Sequence, residues 1–540
     1  MGIFDKMFGT KKNDDELDSM PWDERPSIYE HVRLHVDSSQ SGLTEGGETL
    51  PDDERVNAES QIRWAAGAMD GVATHHMGGG DVDDQVRKTV GLVLTYCGQP
   101  TAANKAALYN DIIEENTVSI IDHVIEAITS EERIEHQRLY DLAYSFVTEA
   151  PDREPTKFGI AILGLFGEAG NEELFQTLGR HDEFTLFCAV ALANSSEDTN
   201  RSLWTLARNV DGWGRIQVVE RLAQTDDAEI KAWLLREGYR NSVMYEYLAY
   251  TCATAGGLLS ALSEDDVDRE LLTSAGEILQ ALIAGGPAEC IDDYDDGALV
   301  AELFVGHIAD AADTIADFLH VSAIKEFLSD DDADWGARTE RGWDSERRSR
   351  LLETCEGILS KSEWKERVGT ALLSNDEMEF RQASQAATSM GIETWGHHWR
   401  RWQAKPNDAG RWFQVVWKVD EERLPTVLQA AEDSIDLTVV ATGPSDELGL
   451  GPGYDHHSSL GYLLQELRRF PGQGATFIEA GLKSPVVRNR NMAVNALAEW
   501  QADQRHGSPF DALQSAAKIE PNDDVKERMT KVLNGESLEA

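Results

Sequence analysis

Cysteine is sparse in this chain of 540 residues: Cys97, Cys188, Cys252, Cys290 and Cys355 stand far apart and never form a C-x-x-C pair. That excludes a disulfide framework or a zinc ribbon and fits free thiols in a reducing compartment. Long apolar runs are also missing. The longest, such as residues 159–167, fall well short of the ~20 residues that a membrane-spanning helix needs. No secretory leader is expected, because MGIFDKMFG lacks a charged segment ahead of a long apolar one. Lys6 stands where myristoylation requires serine or threonine; Ile3, Phe4, Met7 and Phe8 make an apolar helical face expected to dock on the body or fray, the alternative being a weak anchor on a membrane surface or a partner. Strand patterns are nearly absent; the best, residues 435–442, is short and isolated.

Catalytic and metal signatures are missing as well. There is no G-x-S-x-G, G-x-x-x-x-G-K-[ST], H-E-x-x-H or kinase motif set. Gly449, Gly451 and Gly453 miss the dinucleotide spacing and follow no strand, so they read as a loop. Three histidine pairs (His75–His76, His397–His398 and His456–His457) are poor chelators, since neighbours on a helix point to different sides. The acidic run Asp292–Gly297 has Tyr294 at a calcium-ligand position and Leu303 where the closing glutamate belongs, and reads as a solvated turn. Neither a metal nor a cofactor is expected from these residues.

Positive charge is the scarcest resource of all. Against 97 Asp+Glu stand 49 Lys+Arg, a net charge of -48, while 41% apolar residues leave material for a core. Such acidity reads as adaptation to molar salt, where the Debye length is about 3 Å and self-repulsion is screened. Three stretches depart from it. Residues 201–255 balance seven basic with seven acidic side chains; residues 395–418 hold five basic residues, one acid and five tryptophans; residues 483–505 hold four basic and two acidic.

From about residue 57 the chain reads as helix after helix with Gly, Asn or Asp breaks. Units starting near Glu154, Asp182, Asp211 and Arg240 follow one another at about 30-residue spacing, each a pair of helices. Such a unit buries its apolar face only by stacking on neighbours, which predicts an all-α fold, an α-solenoid of stacked HEAT-like helical hairpins. The expected divisions are a mostly irregular acidic segment (1–56), an N-terminal helical-repeat region (57–330), a loop or bend (331–350) whose Trp335 and Trp343 pack down, and a C-terminal helical-repeat region (351–540). The tracts WTLARNVDGWGRIQVVERL, KAWLLREGYRNSVMYEYLAYTCA and SPVVRNRNMAVNALAEW resemble those of a family of microbial HEAT-repeat-type proteins, some of which carry the name limonene hydroxylase. The resemblance implies a helical-repeat fold and, by that name, a monooxygenase. Hydroxylation of an unactivated C–H bond needs haem, flavin or non-haem iron, and no ligand set for these is apparent in the residues.

Each charge-balanced tract carries a binding reading beside a structural one. In 201–255, Trp213, Arg215, Arg221, Arg236, Arg240, Asn241 and Tyr245 would line a concave groove for a carboxylate or phosphate, or else pair with acids between repeats. In 395–418, Trp395, Trp399 and Trp402 share a helix face at i, i+4, i+7, with Arg400 among the cations between them; that suits stacking on an anionic partner, or a core stripe. Arg488, Asn489 and Arg490 open a helix expected to be capped by Ser484 with Pro485 in its first turn. Anion binding and inter-helix hydrogen bonding compete there. The function expected is a non-enzymatic scaffold in the cytoplasm that binds a protein or peptide through 201–255. The alternatives are a small-molecule enzyme or binder of the named family, and an anion or nucleic-acid binder through 395–418. Nucleic acid is disfavoured by the net charge and by the salt sensitivity of phosphate contacts.

Overall fold

The computed structural model describes residues 20–37, 41–59, 65–71, 82–131, 133–264, 266–417, 419–451 and 453–538. The N-terminal MGIFDKMFG, the His75–His76 pair and Gly78–Gly80 lie outside these. The described residues form helices, turns and loops with no strand; two isolated bridges, Val36 with Leu43 and Glu447 with Val486, are the only β pairing among them. None of the described helices is long and apolar enough to cross a membrane. The contacts divide the chain into two compact units, the first within residues 1–361 and the second made mainly of residues 362–540.

In the first unit, helices pack on the next but one along the chain. Arg153–Leu163 lies on Asp182–Ser195, which lies on Gly212–Glu220; farther on, Arg269–Ala284, Ile315–Ser329 and Ser345–Leu359 stack in the same way. That alternation is the geometry of a solenoid of helical hairpins. Short polar side chains start the helices. Asp268 accepts the Leu271 N–H, and Thr314 closes a capping box with Asp317. Buried faces are almost wholly aliphatic and aromatic, each fully buried Leu, Ile or Phe contributing about 1.5–3 kcal/mol. At the crossing of Arg269–Ala284 with Ile315–Ser329 the backbones come so close that a Cβ on Gly276 would sit 2.2 Å from Nδ1 of the buried His320.

The repeat spacing holds from Arg153 to Gly212 and then breaks. The fourth unit, expected to begin with a helix after Arg240, opens instead on an irregular turn that Asn241 builds. Its carbonyl oxygen accepts the N–H groups of Val243 and Met244, and its amide donates to the carbonyls of Tyr239 and Met244. The helix there is delayed to Ala249–Gly256, although Tyr247, Leu248 and Cys252 are buried. Before residue 57, where irregular chain is expected, Ser27 caps a helix at Ile28–His35. Ion pairs hold this acidic segment down: Arg25 and Arg55 meet the buried Asp152 at 3.1 and 3.3 Å, and Arg153 meets the buried Asp52 at 3.0 Å. Beside them the buried Lys157 reaches Asp70 and Glu183, each at 2.7 Å. Burial alone would lower the lysine's pKa, but the surrounding carboxylates hold it well above its usual value. Residues 331–350 contain a short helix, Trp335–Glu340, and Trp343 is buried against Phe327. Cys97, Cys188, Cys252 and Cys355 are buried free thiols, and Cys290 is half-buried.

The second unit repeats the next-but-one packing through Asp455–Leu467, Val487–Ala498 and Asp523–Leu533. Residues 437–440, inside the one expected strand pattern, form a helical turn capped by Asp436. Ser484 and Pro485 do not open the helix that follows them. Val486 is extended and bridges to Glu447, the Ser484 hydroxyl accepts the Val486 N–H, and helix begins only at Val487. Gly449, Gly451 and Gly453 all have positive φ in the loop expected there; at Gly449 a Cβ would also strike Val486 at 2.6 Å.

Candidate functional site

Arg215, Arg221, Arg236 and Arg240 are bound up in contacts with their own fold. Arg215 donates to the carbonyls of Val210 and Arg240, both at 2.9 Å, and Arg221 donates to the Gln217 carbonyl one turn back. Arg236 pairs with Asp268, and Arg240 with Glu277 at 2.9 Å, so both tie this tract to the Arg269–Ala284 helix and its cap. Tyr239, whose hydroxyl donates to Glu277, packs edge-on to Tyr245 at 5.5 Å. Trp213 lies 5.1 Å from Tyr247 and fills the space a Cβ on Gly71 would need. Asn241 is spent on its turn. These side chains converge on inter-helix ladders rather than on a cleft.

In the 483–505 tract Asn489 and Arg490 are likewise internal, while Lys483 and Arg488 are exposed. Asn489 is buried and donates to the His457 carbonyl at 2.9 Å, bridging two helices. Arg490 is fully buried and meets the equally buried Glu520 through two hydrogen bonds of 2.8 Å. Arg488 lies over the Tyr462 ring at 5.2 Å.

The third tract differs. Trp395 and Trp399 stack at 5.1 Å, and Trp399, Trp402 and Trp412 continue the column at 5.0 and 5.1 Å. Each indole N–H of Trp395, Trp402 and Trp412 donates to a backbone carbonyl, so these three are structural as well as aromatic. Trp399 is half-buried, with no hydrogen bond from its indole among the described residues, and borders a cleft of about 740 Å³ with Gln403, Pro406, Asn407, Pro425 and Gln429.

On the other side of the same helix, Trp395–Ala404, lies a second cleft of about 770 Å³. One wall is the helix Glu377–Ser389, which buries Phe380, Ala383, Ala386 and Ala387 and turns Arg381, Ser384, Gln385 and Thr388 toward the opening. The other wall is His398, Arg401 and Lys405, at i, i+3, i+7, with Arg411 and Gln414 from the helix Ala409–Val416. Arg401 stacks on Phe380 at 4.2 Å and donates to the Ser374 carbonyl at 2.7 Å. Arg411 donates to the Arg401 carbonyl at 3.0 Å. Both guanidinium groups then converge on one oxygen, Oε2 of Glu377, Arg411 at 2.9 Å. Burial alone would raise the Glu377 carboxyl; the Arg401 hydrogen bond and the two cationic charges hold it below the usual carboxylate range.

Arg401 and Arg411 thus share the Glu377 carboxylate, and Arg411 also lies 3.5 Å from Asp408, the cleft's other acid. Among the described residues no carboxylate lies within ion-pair distance of Arg381, Lys405 or Arg400; the last borders a smaller adjoining cleft of about 240 Å³. Ser384 Oγ lies 2.8 Å from His398 Nε2, a nucleophile–base distance, but among the described residues nothing orients the other ring nitrogen. Burial, with His397 and Arg401 nearby, lowers the His398 pKa, so the ring is neutral at pH 7 and serves as a hydrogen-bonding wall.

No family model and no curated protein matches this chain. The case therefore rests on geometry. Of the residues singled out in the sequence, His397, His398, Trp399, Arg400 and Trp402 border these clefts, and those of 201–255 and 483–505 do not. Glu377, Phe380, Arg381 and Ser384 were missed. Their signal was an absence: residues 380–392 contain no acid in a chain with twice as many acids as bases.

Proposed function

We propose that this protein is a non-catalytic helical-repeat scaffold that receives an acidic segment of a partner protein in the cleft between Glu377–Ser389 and Trp395–Ala404. One observation carries the reading: Arg401 and Arg411 converge on the Glu377 carboxylate, Asp408 is the only other acid lining the cleft, and the neighbouring Arg381 and Lys405 have no carboxylate partner among the described residues. Half-buried guanidinium groups fixed by backbone carbonyls are preorganised for carboxylates, and a charge-assisted contact to each is worth about 1.5–3 kcal/mol. At a net charge of -48 a long polyanion is repelled by the rest of the surface, whereas a short acidic segment meets mainly the local cations once salt screens beyond about 3 Å. Buried free thiols and the acid-rich surface accord with a reducing, salt-rich cytoplasm as its place of work.

The test is calorimetric titration with short peptides carrying Glu or Asp. Charge reversal by Arg381→Glu with Lys405→Glu is expected to weaken binding at least tenfold while leaving the melting temperature nearly unchanged. Unaltered affinity in the double variant overturns the reading. So does a stoichiometric flavin or haem absorbance in the purified protein, which would favour the oxidoreductase that the family resemblance implies.

A further inference from the structure

We infer that the Glu377 carboxylate occupies a subsite built for one carboxylate of the partner, and that it must swing out for the partner to bind. The inference rests on the acidic-segment reading and deepens it by assigning the subsite and its internal competitor. The two sides of this ion pair are unequal. The Arg401 and Arg411 side chains are 14% and 18% exposed, while Glu377 is 64% exposed. Both guanidinium groups are held without Glu377: Arg401 by the Ser374 carbonyl and the Phe380 ring, Arg411 by the Arg401 carbonyl. Arg401 also keeps a buried Nε–H with no acceptor among the described residues, so the pair is not saturated by the one oxygen it shares.

Glu377, by contrast, is dispensable to its own helix. The cap of Glu377–Ser389 is Asp376, whose side chain accepts the Glu379 N–H at 2.8 Å. Swinging the Glu377 side chain into solvent therefore costs the helix nothing and leaves two oriented donors facing an open cleft. A carboxylate arriving on a partner finds the position that Glu377 vacated, with Arg381 and Lys405 free to take a second acidic group.

An occupant that fills its own site lowers apparent affinity by the fraction of time the site is empty. If Glu377 is seated about nine-tenths of the time, its removal tightens binding about tenfold. The experiment is fluorescence anisotropy of labelled peptides against the wild type, Glu377→Gln, Glu377→Ala and Arg401→Ala, with melting curves for each. One peptide has internal glutamates and an amidated C-terminus. The other has no acidic side chain and a free C-terminal carboxylate. Tighter binding to both Glu377 variants, with loss in Arg401→Ala, supports the inference, and the peptide that gains identifies whether a side-chain or terminal carboxylate enters the subsite. Binding to the wild type that is unchanged or weakened in both folded Glu377 variants overturns the inference and leaves the acidic-segment reading standing. Failure of every acidic peptide to bind wild type and variants alike overturns that reading itself.

Discussion

Replacing Glu520 with alanine strands the guanidinium of Arg490 in a place with no water. Both side chains are 0% exposed. Arg490 makes four hydrogen bonds, two to Glu520 and one each to the carbonyls of Ser484 and Pro485, at 2.8–2.9 Å. Losing the carboxylate leaves a buried, half-satisfied cation, for which the cost is about 3–5 kcal/mol. In a unit of this size each kcal/mol lowers the melting temperature by about 2–4 °C, so its transition is expected to fall by roughly 6–20 °C. The double variant Arg490→Met, Glu520→Leu removes both charges and is expected to recover part of the loss. Recovery stays incomplete because the carbonyls of Ser484 and Pro485, both buried, then lack a donor, at about 1–3 kcal/mol for a stranded group. Urea unfolding followed by tryptophan fluorescence reads these differences, and repeating it at about 1 M and about 3 M KCl separates a sealed pair from a surface one, since only the latter is screened. A Glu520→Ala cost below about 1 kcal/mol, or one that shrinks with salt, refutes the reasoning.

Burial raises the Glu220 carboxyl to about 7, with Arg221 opposing and Glu289 reinforcing the shift. Because the folded protein holds this proton more tightly than the unfolded chain, the contribution is present below about pH 4.5 and is lost as pH rises through about 7. Glu220→Gln is therefore expected to stabilise by about 1–3 kcal/mol at pH 8, after discount for partial exposure, and by nothing at pH 4.5; equal effects at both values in urea unfolding count against it. Gly276→Ala forces a methyl against the His320 ring and is expected to cost at least about 1–3 kcal/mol by overpacking, measured by thermal melting; a neutral result means the two helices are not in contact there. Thr388→Glu places an acid at an exposed position of the cleft, so stability should change by no more than about 0.5 kcal/mol while acidic-peptide affinity falls severalfold by calorimetry. Loss of stability without loss of affinity reverses that assignment.

The all-helical stacking was legible because a paired-helix unit with a sealed apolar stripe has few other ways to hide it. Of the two readings open at Asn489, anion binding and inter-helix hydrogen bonding, the structure shows the second. The same reading covered Arg490, but its partner Glu520 was not legible, since it stands 30 residues away across a turn whose direction no local pattern sets. The period failed at Asn241 for a local reason: side-chain hydrogen bonds to the backbone replaced those of a helix. The tryptophan face was legible from its spacing. The cleft behind it was not, because it exists only where Glu377–Ser389 comes alongside His398 and Arg401, and such a juxtaposition leaves no periodic trace.

A stripe of tryptophans edged with arginine explains why residues 395–412 pack, but not why the exposed positions 385, 388, 403 and 407 around the clefts carry no acid. Across the chain, acids outnumber bases 97 to 49, and the pairing found elsewhere follows that surplus: Arg201 takes two carboxylates, Arg236 two, Lys157 three. Gln385, Thr388, Gln403 and Asn407 are exposed, and none is needed for packing. An acid at any of them would cost little stability and would add to the surface charge that molar salt rewards. What it would do is neutralise Arg381, Lys405 or the arginine pair. Packing is indifferent to that neutralisation; binding of a carboxylate is not. The acid-poor rim is thus better explained by a ligand than by the core beneath it; of the two acids lining the second cleft, Asp408 caps its own helix, and Glu377 stands where a partner's carboxylate would make the same contacts.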